Sequence, residues 1–186
     1  MNAYETWFCG SPLWRWITRL QLLPWLVQGS DLGDHILELG AGPGAATQEL
    51  ALRAARVTSL EYNHAFATKL GARVTGSNAA VIQGDAVALP FANATFSSAI
   101  AILMLHHLPS GEHQDRALAE IARVLRPGGV FLAFEIQDSW LHRAGHIRST
   151  FVPVNPRSAC ARLLTAGFSQ GTVDFWSGGF RLRSIR

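Results

Sequence analysis

From residue 31 onward the chain alternates short apolar runs with segments whose apolar positions recur at helical spacing. Residues 35–39 read as a first strand, followed by Gly-rich residues 40–44 and a helix to about residue 53. Residues 57–61 read as a second strand, 64–70 as a helix, 79–83 as a third strand and 97–103 as a fourth. Alternation of this kind implies an α/β fold with a mostly parallel sheet. Ser110 is a natural N-cap for a helix that carries Ala117, Leu118, Ile121, Val124 and Leu125 on one face. Arg126-Pro127-Gly128-Gly129 stops it, because proline cannot continue the hydrogen-bond ladder and glycine accepts the turn. A fifth strand follows over 130–135. Asn155-Pro156 then starts a helix that ends at Gly167, and residues 171–176 and 180–185 form a closing antiparallel hairpin through Ser177-Gly178-Gly179.

The first 30 residues differ in kind. Leu13, Trp14, Trp16, Ile17, Leu20 and Leu23 place an apolar stripe along one helix, broken near Pro24, and Trp7, Trp14, Trp16 and Trp25 are four of the six tryptophans. The division is therefore an amphipathic helical cap over 1–30 and the main domain over 31–186. Capping the sheet edge is the first reading of the helix, and roofing a substrate pocket is compatible with it. Weak contact with a membrane surface ranks third, since Arg15 and Arg19 offer little attraction for anionic lipid.

Composition narrows the class. With 48% hydrophobic and 16% charged residues in 186, the chain can bury one sizeable core, which excludes a disordered polypeptide. Residues 86–111 lack Asp, Glu, Lys and Arg, but Pro90, Asn93, His106, His107 and Pro109 interrupt them, and the seven apolar residues 99–105 suit a buried strand rather than a membrane span. The N-terminal segment has no cationic region followed by an uninterrupted apolar run, so no signal peptide is expected. Cys9 and Cys160 make neither a disulfide framework nor a C-x-x-C pair, which points to a reducing, cytoplasmic setting and offers no metal module. The net charge of +3 is uneven: residues 1–140 hold 9 Lys+Arg and 12 Asp+Glu, net −3, whereas 141–186 hold 7 Arg and only Asp174, net +6. Arg181, Arg183 and Arg186 alternate along the last segment, which reads as a solvated strand face in preference to a nucleic-acid footprint.

The candidate chemistry lies at strand ends. Ile36 to Gly44 places Gly40, Gly42 and Gly44 directly after a strand and before a helix, where backbone can approach a ligand closely. Gly40, Gly42 and Ala45 also satisfy the relaxed dinucleotide fingerprint. Specificity comes from acids at three successive strands: Glu38 before the glycines, Glu61 ending the second strand, and Asp85 in Gly84-Asp85-Ala86. In an open parallel sheet these ends face one crevice. Three carboxylates there suit a positively charged ligand rich in N–H and O–H donors better than a pyrophosphate.

On these residues, together with Leu89-Pro90-Phe91, Leu105-His106-His107-Leu108 and Leu125-Arg126-Pro127-Gly128-Gly129, the chain resembles the class I S-adenosylmethionine-dependent methyltransferases. The likeness is to their small-molecule branch, which includes ubiquinone and menaquinone biosynthesis methyltransferases, and it runs from about residue 32 to 186. It implies a Rossmann-like, seven-stranded sheet with helices on both faces, strand order 3-2-1-4-5-7-6 and an antiparallel last strand. The cofactor it implies is S-adenosyl-L-methionine. Gly40, Ala41 and Gly42 are then expected along the methionyl part, and Glu38 near its ammonium group, largely through backbone or water. Glu61 is expected on the ribose hydroxyls and Tyr62 beside the adenine. Gly84-Asp85-Ala86 would supply a carboxylate for the adenine N6 amine and a backbone N–H for ring N1, while Ala101 and Ile102 would pass under the methionyl chain. Two departures stand out: Ser97 replaces an Asp common in relatives, and no Asn/Asp-Pro-Pro-Tyr motif follows the fourth strand, which argues against methylation of adenine N6 or glutamine.

The reaction so implied is in-line transfer of a methyl group to a small acceptor, mostly by alignment and desolvation. If the acceptor must lose a proton, His106 or His107 is the best available base, because an unperturbed histidine titrates near neutrality, with packing at the core edge as the plainer reading of at least one of them. Glu135 reads as the polar end of the fifth strand. An NAD(P)-dependent oxidoreductase and a non-catalytic cofactor-binding or interaction module are the alternatives. Trp7, Trp14, Trp16, Trp140, Phe151 and Trp176 favour a hydrophobic or aromatic acceptor if they face the crevice.

Overall fold

The structure, a computed structural model, describes residues 2–186, so Met1 of the expected 1–30 cap lies outside it. Seven strands form one sheet in the order β3-β2-β1-β4-β5-β7-β6. They are β1 (His35–Leu39), β2 (Arg56–Glu61), β3 (Ala79–Gln83), β4 (Phe96–Ile102), β5 (Leu125–Ile136), β6 (Gln170–Trp176) and β7 (Gly179–Ile185). The first five run parallel, and β7 is antiparallel to both β5 and β6. The expected order and the antiparallel last strand are both present.

Alternate residues of the central strands feed two separate cores, as expected for strands covered on both faces. On one face Leu37, Ala99, Ala101, Phe131 and Ala133 pack under α6 (Gly111–Val124) and α8 (Pro156–Thr165) through Leu118, Ile121 and Leu163. On the other, Ile36, Val57, Ile100, Leu132 and Phe134 meet Leu22, Leu23, Leu26 and Leu50. The N-terminal helices thus lie on a face of the sheet rather than along its edge.

Several expectations are revised. The chain does not break at Pro24: α1 (Ala3–Gly10), α2 (Pro12–Ile17), a π-helical segment (Thr18–Leu22) and α3 (Leu23–Val27) follow one another, with Leu23 N donating to Thr18 O. The wider turn shifts the bonding pattern just where proline has no N–H to give. The buried face is formed by Trp14, Thr18, Leu22, Leu23 and Leu26, while Leu13, Trp16 and Leu20 of the expected stripe are exposed. The helix expected to reach residue 53 is the short α4 (Thr47–Ala51), because left-handed Gly42 and Gly44 (φ +52° and +82°) hold the chain in turns first. Helix α5 (His64–Val74) runs longer than its apolar spacing indicated. Strand β5 begins at Leu125, upstream of Arg-Pro-Gly-Gly, and that segment bulges out between the pairs Phe96–Leu125 and Ser98–Val130. A helix not anticipated, α7 (Trp140–Gly145), lies in the 136–155 connection.

The basic tail is largely committed to structure. Arg181 pairs with Asp174, donates to the carbonyls of Trp25, Leu26 and Gln28 at the end of α3, and sits 5.0 Å over the Trp25 ring. Arg186 donates to Leu125 O. Among the described residues no helix is long and apolar enough to cross a membrane.

Candidate active site

The carboxyl ends of β1, β2, β3 and β4 open into one cleft of about 710 Å³, within the range of small-molecule sites. Because the sheet order is β3-β2-β1-β4, the residues at and just after the ends of these strands are spread along it in that order. Gly84, Asp85 and Ala86 stand at one end, Glu61 and Tyr62 beside them, Glu38 and the Gly40–Gly42 loop in the middle, and Ile102 with Met104 beyond.

Local chemistry explains why the middle is rigid. Gly40 has φ +66°, and a Cβ there would come within 2.4 Å of Met104 Cγ, so only glycine allows β1 to turn this close to the chain leaving β4. Gly40 N and Ala41 N both donate to Leu60 O. Gly42 N donates to Glu61 Oε2 at 2.7 Å and Asn63 N to Glu61 Oε1 at 2.8 Å. One carboxylate therefore ties the loop after β1 to the turn after β2, and each of its oxygens retains a lone pair for a ligand hydroxyl. Tyr62 beside it is exposed and lines the cleft.

Glu38 is used differently. Its Oε2 accepts from Thr47 Oγ1 (2.7 Å) and Ser59 Oγ (2.6 Å), and burial raises its pKa above the usual carboxylate range. Asp85 accepts from Val87 N through Oδ1, and its Oδ2 has no partner among the described residues. The loop that carries Asp85 is held from behind by α6. Glu120 accepts from Leu89 N, and Arg123 donates to Leu89 O, to Phe91 O and to Glu120 itself. Sequence reasoning passed over Glu120 and Arg123, whose helical spacing of three marks an ordinary surface pair until the loop is seen against them.

The far end is lined by Thr6, Cys9, Trp14 and Thr18 from the N-terminal helices, with His107, His113 and Thr150. Burial and the nearby Glu5 push the Cys9 thiol up to about 11, so it stays protonated. Thr18 Oγ1 is buried with no hydrogen-bond partner among the described residues, a polar atom aimed at nothing in the chain itself. Burial, with a smaller contribution from His106, lowers His107 to about 4, so its ring is neutral near pH 7. His106 lies behind it, 2% exposed, with Nδ1 2.5 Å from Glu135 Oε2. Glu135 is not a strand-end surface group: it is fully buried, and its Oε1 accepts from Met104 N and Leu105 N.

Glu38, Gly40, Ala41, Gly42, Glu61, Tyr62, Gly84, Asp85, Ala86, Ile102 and His107 are thus brought to one cleft. Ala101 is completely buried in β4 and does not line it, since its side chain points into the core under α6. His106 is also behind the wall. Of the aromatic residues named for the acceptor, Trp14 alone lines the cleft; Trp7, Trp16 and Trp140 are exposed, Trp176 stacks on Trp25, and Phe151 packs against His106 and His146. Ser97 accepts from His35 N and donates to Leu32 O, tying β4 to the start of β1 and the residues before it.

This sheet order, with the glycine loop after β1 and acids at successive strand ends, defines a Rossmann-like methyltransferase architecture. The chain belongs to the methyltransferase-domain family, whose model matches residues 37–133. A demethylmenaquinone methyltransferase from Thermobifida fusca is 35% identical over 101 residues, covering 52% of this chain and 41% of that protein. A phthiotriol/phenolphthiotriol dimycocerosates methyltransferase from Mycobacterium leprae is 39% identical over 109 residues, 58% of this chain and 39% of that one. The chain therefore spans less than half the length of these relatives. A SAM-dependent methyltransferase from Aquifex aeolicus superposes with a TM-score of 0.77 over 100% of this chain and 98% of that one at 15% identity, a likeness of fold.

Proposed function

We propose that the protein transfers a methyl group from S-adenosyl-L-methionine to a small, hydrophobic or aromatic acceptor. The observation that carries this reading is the convergence of Gly40–Gly42, Glu61 and Asp85 on one cleft in a chain of the methyltransferase-domain family. Glu61 holds the loop with two backbone bonds and keeps one lone pair per oxygen, which fits a pair of ribose hydroxyls. The remaining oxygen of Asp85 and the backbone of Ala86 suit the adenine edge, with Gly84 leaving room and Tyr62 beside the ring. Glu38 is occupied by Thr47 and Ser59, so its part toward the ammonium group runs through water or backbone. Ile102 takes the place under the methionyl chain that Ala101, facing the core, does not.

In the reaction an acceptor lone pair forms a bond to the methyl carbon as the carbon–sulfur bond breaks, and the electron pair of that bond returns to sulfur. The protein's part is to align the two and exclude water, where effective molarities reach about 10⁵ M or more. Thr6, Trp14, Thr18 and His107 form the walls on the acceptor side. His107 borders that space directly, and His106 is a positioning residue behind it. A small acceptor is favoured because the cleft, at about 710 Å³, has the size of a small-molecule site.

Calorimetric titration tests the cofactor assignment: S-adenosylmethionine and S-adenosylhomocysteine bind in the micromolar range while NADH does not. Binding of NADH alone would point to the oxidoreductase alternative. Transfer of label from methyl-labelled cofactor into a metabolite or lipid extract then separates an enzyme from a silent binding module.

A further inference from the structure

We propose that His106, His107 and His146 form a binding site for one divalent transition-metal cation of the zinc class, beside the acceptor end of the cleft. One ring nitrogen of each histidine lies within 4.8 Å of the other two, and the ring centroids are 4.3, 5.1 and 5.4 Å apart. The hydrogen bonds that each ring makes through Nδ1 say which nitrogen is available. His106 Nδ1 faces Glu135 Oε2 at 2.5 Å, His107 Nδ1 faces Thr150 O at 3.3 Å, and His146 Nδ1 faces His142 O at 2.6 Å. All three partners are acceptors, so each Nδ1 donates, and Nε2 is the nitrogen of each ring whose lone pair a cation can take. Outer carboxylate and carbonyl partners of this kind accompany histidines that ligate metals. Glu135 is itself fixed by Met104 N and Leu105 N, which makes the His106 ring the immobile member of the three.

A second observation points the same way. His146 Nε2 lies 3.6 Å from Glu5 Oε1, with both side chains largely buried at 11% and 7% exposure. Glu5 also accepts from Ser149 Oγ and from Asn2 N. The Glu5 carboxylate places a negative charge beside the three rings, which favours a cation held among them. Three imidazoles match the borderline character of zinc, which takes nitrogen ligands at about 2.0–2.1 Å in a tetrahedral set and leaves a fourth position for water or substrate. Tetrahedral bonds of that length bring the nitrogens to roughly 3.3 Å of one another, so binding draws His146 inward by about 1 Å. His146 sits just beyond α7 in the 136–155 connection, outside the sheet, where such a shift leaves the core untouched. His107 and Thr150 both line the cleft, so the fourth position is within reach of an acceptor held there. Holding that acceptor by a hydroxyl or carboxylate oxygen is a consequence that rests on the proposed methyl transfer; metal binding itself does not.

The test uses full-length, tag-free protein, stripped with chelator and titrated with cobalt(II), whose visible ligand-field bands report nitrogen coordination of low symmetry. One equivalent saturates the bands and zinc displaces it. His146→Ala abolishes them, and Glu135→Gln, which keeps the side-chain shape, weakens binding about 10–100-fold. His64→Ala, an exposed histidine bonded to Gln83, leaves them intact. Absence of the bands in the unaltered protein, or their persistence in His146→Ala, overturns the site and leaves the His146–Glu5 contact a structural one. Cofactor titration of the same stripped samples keeps the two readings apart, because loss of cofactor binding with the cobalt bands intact counts against methyl transfer alone.

Discussion

The two ends of the cleft are built by different means. At the acid end, each functional residue lies at the carboxyl end of its own strand or within a few positions of it, and neighbouring strands deliver them side by side: Leu60 O receives Gly40 N and Ala41 N, and Glu61 receives Gly42 N and Asn63 N. At the histidine end, four separated segments meet. His106 and His107 come after β4, Glu135 from the end of β5, His146 from the connection after α7, and Glu5 from α1. The first end is a product of parallel pairing, so it is rigid as soon as the sheet exists. The second exists only when the N-terminal helices and the 136–155 connection have docked.

The largest expected effect falls on the acid end. Gly40→Ala combines a left-handed backbone, costing about 1–2 kcal/mol, with overpacking against Met104, typically about 1–3 kcal/mol. Urea unfolding should record a loss of that combined size, and cofactor binding should disappear with the loop geometry. Glu61→Ala comes next: charge-assisted hydrogen bonds are each worth roughly 1.5–3 kcal/mol, so calorimetry should find cofactor affinity lower by about 10–100-fold. Arg123→Ala removes the clamp behind the Asp85 loop without touching the cleft. The expected result is a weakening of about three- to tenfold, one hydrogen bond's worth, with faster amide exchange in residues 85–91.

A smaller effect is visible through pH. Hydrogen bonds from Arg123 hold the Glu120 carboxyl below its ordinary range, against the opposing influence of burial. A carboxyl whose pKa is lower folded than unfolded contributes stability above the unfolded value, and that contribution fades as pH falls through the folded one. The difference in melting temperature between the protein and Glu120→Gln should therefore be full at neutral pH and close on acidification below about 4.3. The smallest expected effect is a silence: His146→Ala should leave S-adenosylhomocysteine affinity within about twofold, since distant sites without shared partners act independently. A loss there comparable with Glu61→Ala would mean that the two ends are one cooperative unit, and the contrast between them would fall.

Much of the acid end was legible in the sequence for the same reason that it is rigid. Strands β1 and β3 have the bounds read from their apolar runs, and Glu38, Glu61 and Asp85 were visible because the carboxyl end of a parallel strand is a position that local pattern identifies. What local pattern could not assign was direction. Ala101 and Ile102 are adjacent and equally apolar, yet one faces the core under α6 and the other the cleft. Glu38 and Glu61 are both strand-end acids in the sequence, yet Thr47 and Ser59 absorb one while the other bonds the loop amides beside the cleft. The N-terminal stripe misled because counting tryptophans gave Trp16 the weight of Trp14, whereas a π-turn before Pro24 sets which face meets the sheet.

The sequence by itself determined the alternation of strands and helices and the glycines and acids at strand ends, because periodicity and strand-end position are properties of contiguous residues, while the strand order followed from the family resemblance alone. Tertiary structure alone decided that a strand-end glutamate would be buried to hold His106, that Arg123 would clamp a loop 32 residues away, and that His146 would join two histidines 39 and 40 residues earlier. Those contacts depend on how separated segments dock, and the composition of each segment carries no record of its partner.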